Sequence, residues 1–162
     1  CDDKELEDWK DEDYRDITDT SGNTERRLTK ETRYEKIAYE IELRNMNDTP
    51  LDGMRMEYVI YYEQSEESFD KPVAQQKHLK AELEVPRIPA RQTVKVLTKP
   101  VVIHKDNINS INWTSGRSRT GGEGEVHGLR ARLYMKTPSN GEAMRGFCHP
   151  ESLSRDDFEW RG

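Results

Sequence analysis

Apolar side chains recur at every second position through four stretches of the chain, and each stretch predicts a half-buried antiparallel strand. In RYEKIAYEIELRN, residues 33–45, Ile37, Tyr39, Ile41 and Leu43 lie on one side, with Lys36, Ala38, Glu40, Glu42 and Arg44 on the other. MRMEYVIYYE, residues 54–63, repeats the alternation at Met54, Met56, Tyr58, Ile60 and Tyr62. HLKAELEVP, residues 78–86, places Leu79, Ala81, Leu83 and Val85 on one face and stops at Pro86, which cannot donate to a ladder. VHGLRARLYMK, residues 126–136, turns Leu129, Ala131, Leu133 and Met135 inward and leaves Arg130, Arg132 and Tyr134 outside.

The segments between these stretches are rich in turn formers. Asn47-Asp48-Thr49-Pro50-Leu51-Asp52-Gly53 predicts a tight corner, and Ile88-Pro89-Ala90-Arg91 another. TVKVLTKPVVI, from Thr93, alternates at Val94, Val96 and Thr98 until Pro100 interrupts it, so an irregular edge piece is expected at Val101, Val102 and Ile103. Residues 104–125, with Gly116, Gly121, Gly122 and Gly124, read as one long loop, and Pro138-Ser139-Asn140-Gly141 as a hairpin turn into EAMRGFC. A short helical turn is expected near residues 151–160. Residues 1–23 show neither period, because Trp9, Tyr14 and Ile17 are scattered among acids; they read as an acidic tether, or a lightly docked extension, ahead of a domain at 24–162. Seven or eight strands, with no helix to cross over between parallel ones, predict an all-β, immunoglobulin-like antiparallel sandwich.

Composition fits that architecture. Only 32% of the 162 residues are apolar and 36% are charged, which suits a thin core whose strands bury alternate side chains. The net charge of −6 sits at one end: residues 1–19 hold ten Asp or Glu against Lys4, Lys10 and Arg15. An acidic chain is a poor partner for nucleic acid, which is bound by clustered Lys and Arg, and for anionic membranes. No run approaches the roughly 20 apolar residues of a spanning helix, and no signal-peptide core is present, so the chain reads as cytoplasmic or as processed after export. Its two cysteines, Cys1 and Cys148, are too few for a disulfide framework or a Cys-based metal site. Cys1, followed by a polar acidic stretch, has the look of the lipid-bearing first residue of a processed lipoprotein; a bridge to Cys148 and an ordinary chain start are the other readings.

Candidate chemistry is sparse. None of His78, His104, His127 and His149 sits in a catalytic context, and adjacent Cys148 and His149 point to opposite faces of a strand. The glycine-rich run at 116–128 lacks the Lys-Ser/Thr and following helix of a phosphate loop, though Arg117 and Arg119 on it are candidate contacts for an anionic sugar or a partner's carboxylates. The acidic clusters lack the spacing of a calcium loop. Tyr61 and Tyr134 are the tyrosines expected on the outer face, and Trp113 is the aromatic best placed for glycan stacking.

The order of YEIELRNMNDTPLDGMRMEYVIYY and GLRARLYMKTPSNGEAMRGFCHPESL, covering about residues 34–160, resembles immunoglobulin-like fimbrial-type, pilus-associated envelope proteins of mucin-degrading Verrucomicrobia. The resemblance rests on pattern and order, without a diagnostic motif, and the chain departs from a true pilin in having no long apolar N-terminal helix. It implies an exported, surface-associated module that binds a protein partner or assembles through a sheet edge, with no cofactor and no catalysis. The alternative class is a mucin-glycan-binding domain, in which Trp113 would carry the contact.

Overall fold

The residues with period-two apolar spacing close on one another in the computed structural model, which describes residues 1–69, 71–109, 120–135 and 145–149, the side chains of Arg145, Phe147 and Cys148 excepted. The strands are β1 (Asp2–Thr18), β2 (Thr24–Arg44), β3 (Met54–Gln64), β4 (Gln75–Val85), β5 (Thr93–Leu97), β6 (Val101–Ile108), β7 (Gly124–Met135) and β8 (Arg145–His149). They form two four-stranded antiparallel sheets. In the first, β2 is flanked by β1 on one edge and by β5 and β6 end to end on the other; the second has the order β4-β3-β7-β8. The chain passes between sheets after β2, β4 and β6, the Greek-key connectivity of immunoglobulin-like sandwiches.

The core lies between the sheets. Tyr39, Ile41, Val96 and Val101 come from the first; Met54, Met56, Tyr58, Ile60, Leu129 and Ala131 come from the second. Leu79, Leu83, Leu133 and Met135 pack against them, as the alternation of β4 and β7 predicts. Full burial of a side chain the size of Ile60 or Leu129 is worth about 1.5–3 kcal/mol, so a thin core of this kind is sufficient only if its polar main chain is fully paired.

Two polar side chains do that pairing at the sandwich corners. Asn45, fully buried, donates from Nδ2 to the carbonyls of Thr49 (2.8 Å) and Ile88 (3.1 Å) and accepts the Asn47 N–H at 2.9 Å. It ties the end of β2 to the corner before β3 and to the corner before β5. Where Pro100 breaks the strand into β5 and β6, Thr98 takes the Tyr39 N–H on its hydroxyl (2.9 Å) and donates its own N–H to the Tyr39 carbonyl (3.0 Å). The Lys99 N–H is accepted by the Tyr58 hydroxyl of the opposite sheet at 2.8 Å.

Three expectations are corrected. The segment 1–23 is not a tether in this structure: β1 is a strand, paired from Asp2↔Glu40 to Thr18↔Thr24. Residues 104–108 continue β6 and Gly124 opens β7, so the loop read across 104–125 is shorter at both ends. Tyr61 and Tyr134 are buried, at 7% and 8% exposure, with the Arg55 guanidinium 4.5 Å over the Tyr134 ring. β3 is thus buried on both faces through Tyr58–Tyr61, which the outward half of a simple alternation does not foresee. The helical turn expected near 151–160 and the turn at 138–141 lie outside the described residues.

Two outcomes follow for stability. Asn45→Ala removes a donor to two carbonyls and an acceptor from a buried corner, and urea denaturation should show a loss of about 2–3 kcal/mol. Burial, and secondarily Asp3, pushes the Tyr39 hydroxyl up to about 12 from 10.0. The unfolded chain therefore releases this proton before the native one does, so the contribution is intact below pH 10.0 and is lost as pH rises toward about 12. Tyr39→Phe should flatten that fall in alkaline urea titrations by on the order of 2 kcal/mol.

Candidate partner-binding surface

The β1–β2 hairpin is built by local chemistry that has no apolar period. Its turn, Asp19–Asn23, is an Asx arrangement in which Asp19 Oδ1 accepts the N–H groups of Asn23 (2.9 Å) and Ser21 (2.8 Å), while Gly22 takes φ 85°. These bonds, the Asn23 one foremost, hold the Asp19 carboxyl below its ordinary range. Along the strands, Lys36 faces Glu7 (3.7 Å), Lys10 faces Glu31 (3.8 Å) and Lys4 faces Glu40 (3.5 Å). Glu12 accepts from Lys10 Nζ (2.7 Å) and from the Tyr14 hydroxyl (2.6 Å), and its carboxyl is lowered by both, Lys10 first. Cross-strand attraction of this kind is what an acidic strand requires of a neighbour carrying Arg26, Arg27, Lys30, Arg33 and Lys36.

An aromatic row crosses three strands of the same sheet. Trp9, Tyr34 and His104 are register partners on β1, β2 and β6. Trp9 and Tyr34 stack at 5.1 Å with 7° between planes, and His104 tilts against Tyr34 at 5.8 Å. Trp9 stays 40% exposed, beside an open depression of 470 Å³ that Glu5, Asp8, Arg33 and Glu35 also line. No part of the sequence reading anticipated Trp9; the signal that could have found it is the Asp19-Thr20-Ser21-Gly22-Asn23 turn, which folds residues 1–18 back on 24–44.

No family model matches the chain, and neither the curated proteins nor the solved structures yield a match.

The predicted assembly edge at Val101–Ile103 is differently placed. Val101 and Ile103 are buried in the sandwich, and only Val102 is exposed, at 47%. All three pair with β2 on one side. On the other side, Gln64 acts as a strand surrogate: its Oε1 accepts the His104 N–H at 3.0 Å and its Nε2 donates to the His104 carbonyl at 3.1 Å. One step on, the Asp106 N–H donates to the Gly122 carbonyl at 2.8 Å. Pro100 has no N–H. By the alternation of an antiparallel ladder, the even-numbered residues of β6 turn their main-chain groups outward, and of these His104 and Asp106 are capped.

The glycines of the 116–128 run serve this same edge. A Cβ on Gly121 would overlap the Asp106 carbonyl, and one on Gly122 the Ser65 carbonyl, so the 120–123 strap lies against β6 and the 65–68 segment at a separation that only glycine permits. Ser68 and Thr120 exchange main-chain bonds at 3.0 and 2.8 Å. Beneath the strap, the buried Asp106 carboxylate accepts from Thr32 Oγ1 (2.8 Å) and the Gly122 N–H (3.1 Å), and Lys30, 3.7 Å away, is ion-paired to Glu67 at 2.9 Å. His104 lies 3.6 Å from Glu66, and His127 lies 3.2 Å from Glu63. Among the described residues no group of three or more His, Cys, Asp or Glu side chains is placed to hold a metal ion.

Cys1 is a free thiol at the start of β1, packed against the core cluster. Trp113, Arg117 and Arg119 lie outside the described residues. Gln64→Ala should uncover the His104 main chain on the β6 edge. Sedimentation velocity should then detect concentration-dependent association greater than that of the unaltered chain, with a stability loss of about 1–3 kcal/mol in urea.

Proposed function

We propose that this chain is a non-catalytic, pilus- or fimbria-associated module of the cell envelope or surface, which binds a protein partner or assembles through an open strand edge. The observation that carries the reading is the asymmetry of the first sheet: its β6 edge is capped by Gln64, Pro100 and Gly122, whereas the β1 side offers a 17-residue strand exposed on both faces. An open strand is a ready template for main-chain pairing. The acidic surplus of β1 selects against a second β1 alongside it and in favour of a basic extended segment. A lipid on Cys1, or an anchor removed in processing, would be the module's route to the membrane. The lack of catalysis is inferred from His104, His127 and His149, which serve as ring packing and carboxylate partners.

A second reading, glycan binding, draws support from the half-exposed Trp9 stacked on Tyr34 above carboxylates and Arg33, an arrangement suited to a sugar face. In that case Trp9→Ala abolishes binding to mucin glycans without changing the chain's association.

The leading reading is tested by placing a photo-reactive residue at Asp8 on β1 or at Val102 on β6, in the cells that make the protein. The Asp8 position should yield an adduct of one defined mass, in the envelope fraction and reduced at high salt; the Val102 position should yield none. Recovery as an uncrosslinked cytosolic protein from both would overturn it.

A further inference from the structure

Trp9, Tyr34 and His104 stand on one face of the first sheet, one on each of three neighbouring strands. The Trp9 and Tyr34 rings are parallel to within 7° and 5.1 Å apart, a step close to the spacing of the strands themselves. The row is closed at β6, where the His104 ring lies 5.8 Å from Tyr34 and its Nε2 is 3.6 Å from Glu66. At β1 it is open, and Trp9 keeps 40% of its surface exposed. With Tyr34 against one face of the indole, the other face is turned away from β2, toward the place that a strand added to β1 would occupy.

The main chain points the same way. Asn109 N–H donates to the Thr29 carbonyl and Tyr39 N–H to Thr98 Oγ1, so the odd-numbered residues of β2 bond toward β6 and β5. The even-numbered ones, Tyr34 among them, bond toward β1, and Trp9 uses its own main-chain groups on Tyr34. Asp8, Lys10 and Glu12 are left with theirs facing outward. The residue opposite Trp9 on an added strand is therefore a non-hydrogen-bonded partner, the position at which side chains across a ladder come closest.

The neighbours of Trp9 on its own face decide what that partner is. No bulge intervenes between Glu7 and Asp13, so Glu7 and Asp11 flank the indole on its side of the sheet. Glu7 faces Lys36 at 3.7 Å, but Asp11 is opposite Thr32, whose hydroxyl donates to Asp106. Lys10 and Arg33 lie on the opposite face, where they pair with Glu12 and Glu31. A planar cation meets both demands, since a guanidinium stacks on an indole while its N–H groups reach a carboxylate beside it. A neutral ring would leave Asp11 without a counter-charge, and an ammonium lacks the plane.

We propose that β1 pairs with an extended segment of a partner protein that carries an arginine opposite Trp9, its guanidinium stacked on the open indole face and bonded to Asp11. The inference rests on the reading of the chain as a module that binds through the open β1 edge, and it names the residue which that edge selects.

Isothermal titration of the whole chain with two short synthetic peptides tests the contact. Both alternate threonine with lysine; one has arginine at its central basic position and the other lysine, so their charges are equal. The arginine peptide should bind about fivefold more tightly, and the preference should vanish in Trp9→Ala. Trp9→Phe, which keeps a ring, should keep part of it, and Asp11→Asn should weaken the arginine peptide more than the lysine peptide. Equal binding of the two peptides, a preference that survives Trp9→Ala, or no binding of either at about 1 mM overturns the arginine contact. An Asp8 photo-adduct formed in the envelope with unchanged yield in Trp9→Ala leaves the edge reading standing and removes the arginine. A Trp9-dependent preference in a chain recovered only as cytosolic protein sinks the envelope reading and leaves the contact.

Discussion

Main-chain pairing along both edges of β2 organises the first sheet. A strand of 21 residues has more edge than any one neighbour here covers, and the chain meets that demand piecemeal. On one side β5 takes Glu40–Arg44 and β6 takes Lys30–Ile37; on the other, β1 takes Thr24–Glu40. The inner part of β2 is held by burial of Tyr39 and Ile41 between the sheets. Its outer part is held by ion pairs, one aromatic row and main-chain pairing with β1 and β6. The two halves of one strand are therefore governed by different physics, and the change occurs near Ile37.

The polar composition of the chain has its counterpart in how the ends of the ladders are finished. With a core this thin, an unpaired buried carbonyl or N–H costs a large share of the net stability. Asn45, Gln64, Thr98 and Asp106 each substitute a side-chain group for a missing strand or turn bond. They lie where the chain changes direction or where a ladder stops. Gly121 and Gly122 complete the same task by letting a strap approach the main chain of β6 closely.

This division explains which parts of the molecule are legible in the sequence. β3, β4 and β7 bury one face at least, and their alternation fixed both their positions and their inward residues. β1 buries neither face, so its only sequence signals are the Asx turn at Asp19 and the basic complement on β2, both weaker than periodicity. The mistake at Tyr61 and Tyr134 has another cause: alternation assigns the outward set of a strand but cannot say whether that set is covered. Glycine supplies both flexibility and close approach, and a sequence does not distinguish the two, so Gly121, Gly122 and Gly124 read as loop. Of the candidate contacts, Val102 is exposed on β6, and the groups that cap the neighbouring positions come from residues distant in sequence, Gln64 and Gly122.

Open strands are hazardous unless something limits what they pair with, and each edge of the first sheet is limited differently. The β5–β6 edge is broken by Pro100 between the two strands and capped at His104 by the Gln64 amide. β1 is charged along its length, and register shifts at Glu5/Glu7 and Asp13/Tyr14 disturb the regular spacing of its pairing with β2. The two edges are thus guarded over different ranges: the acids of β1 act over a Debye length and weaken with salt, while the proline and the amide beside β6 act only at contact.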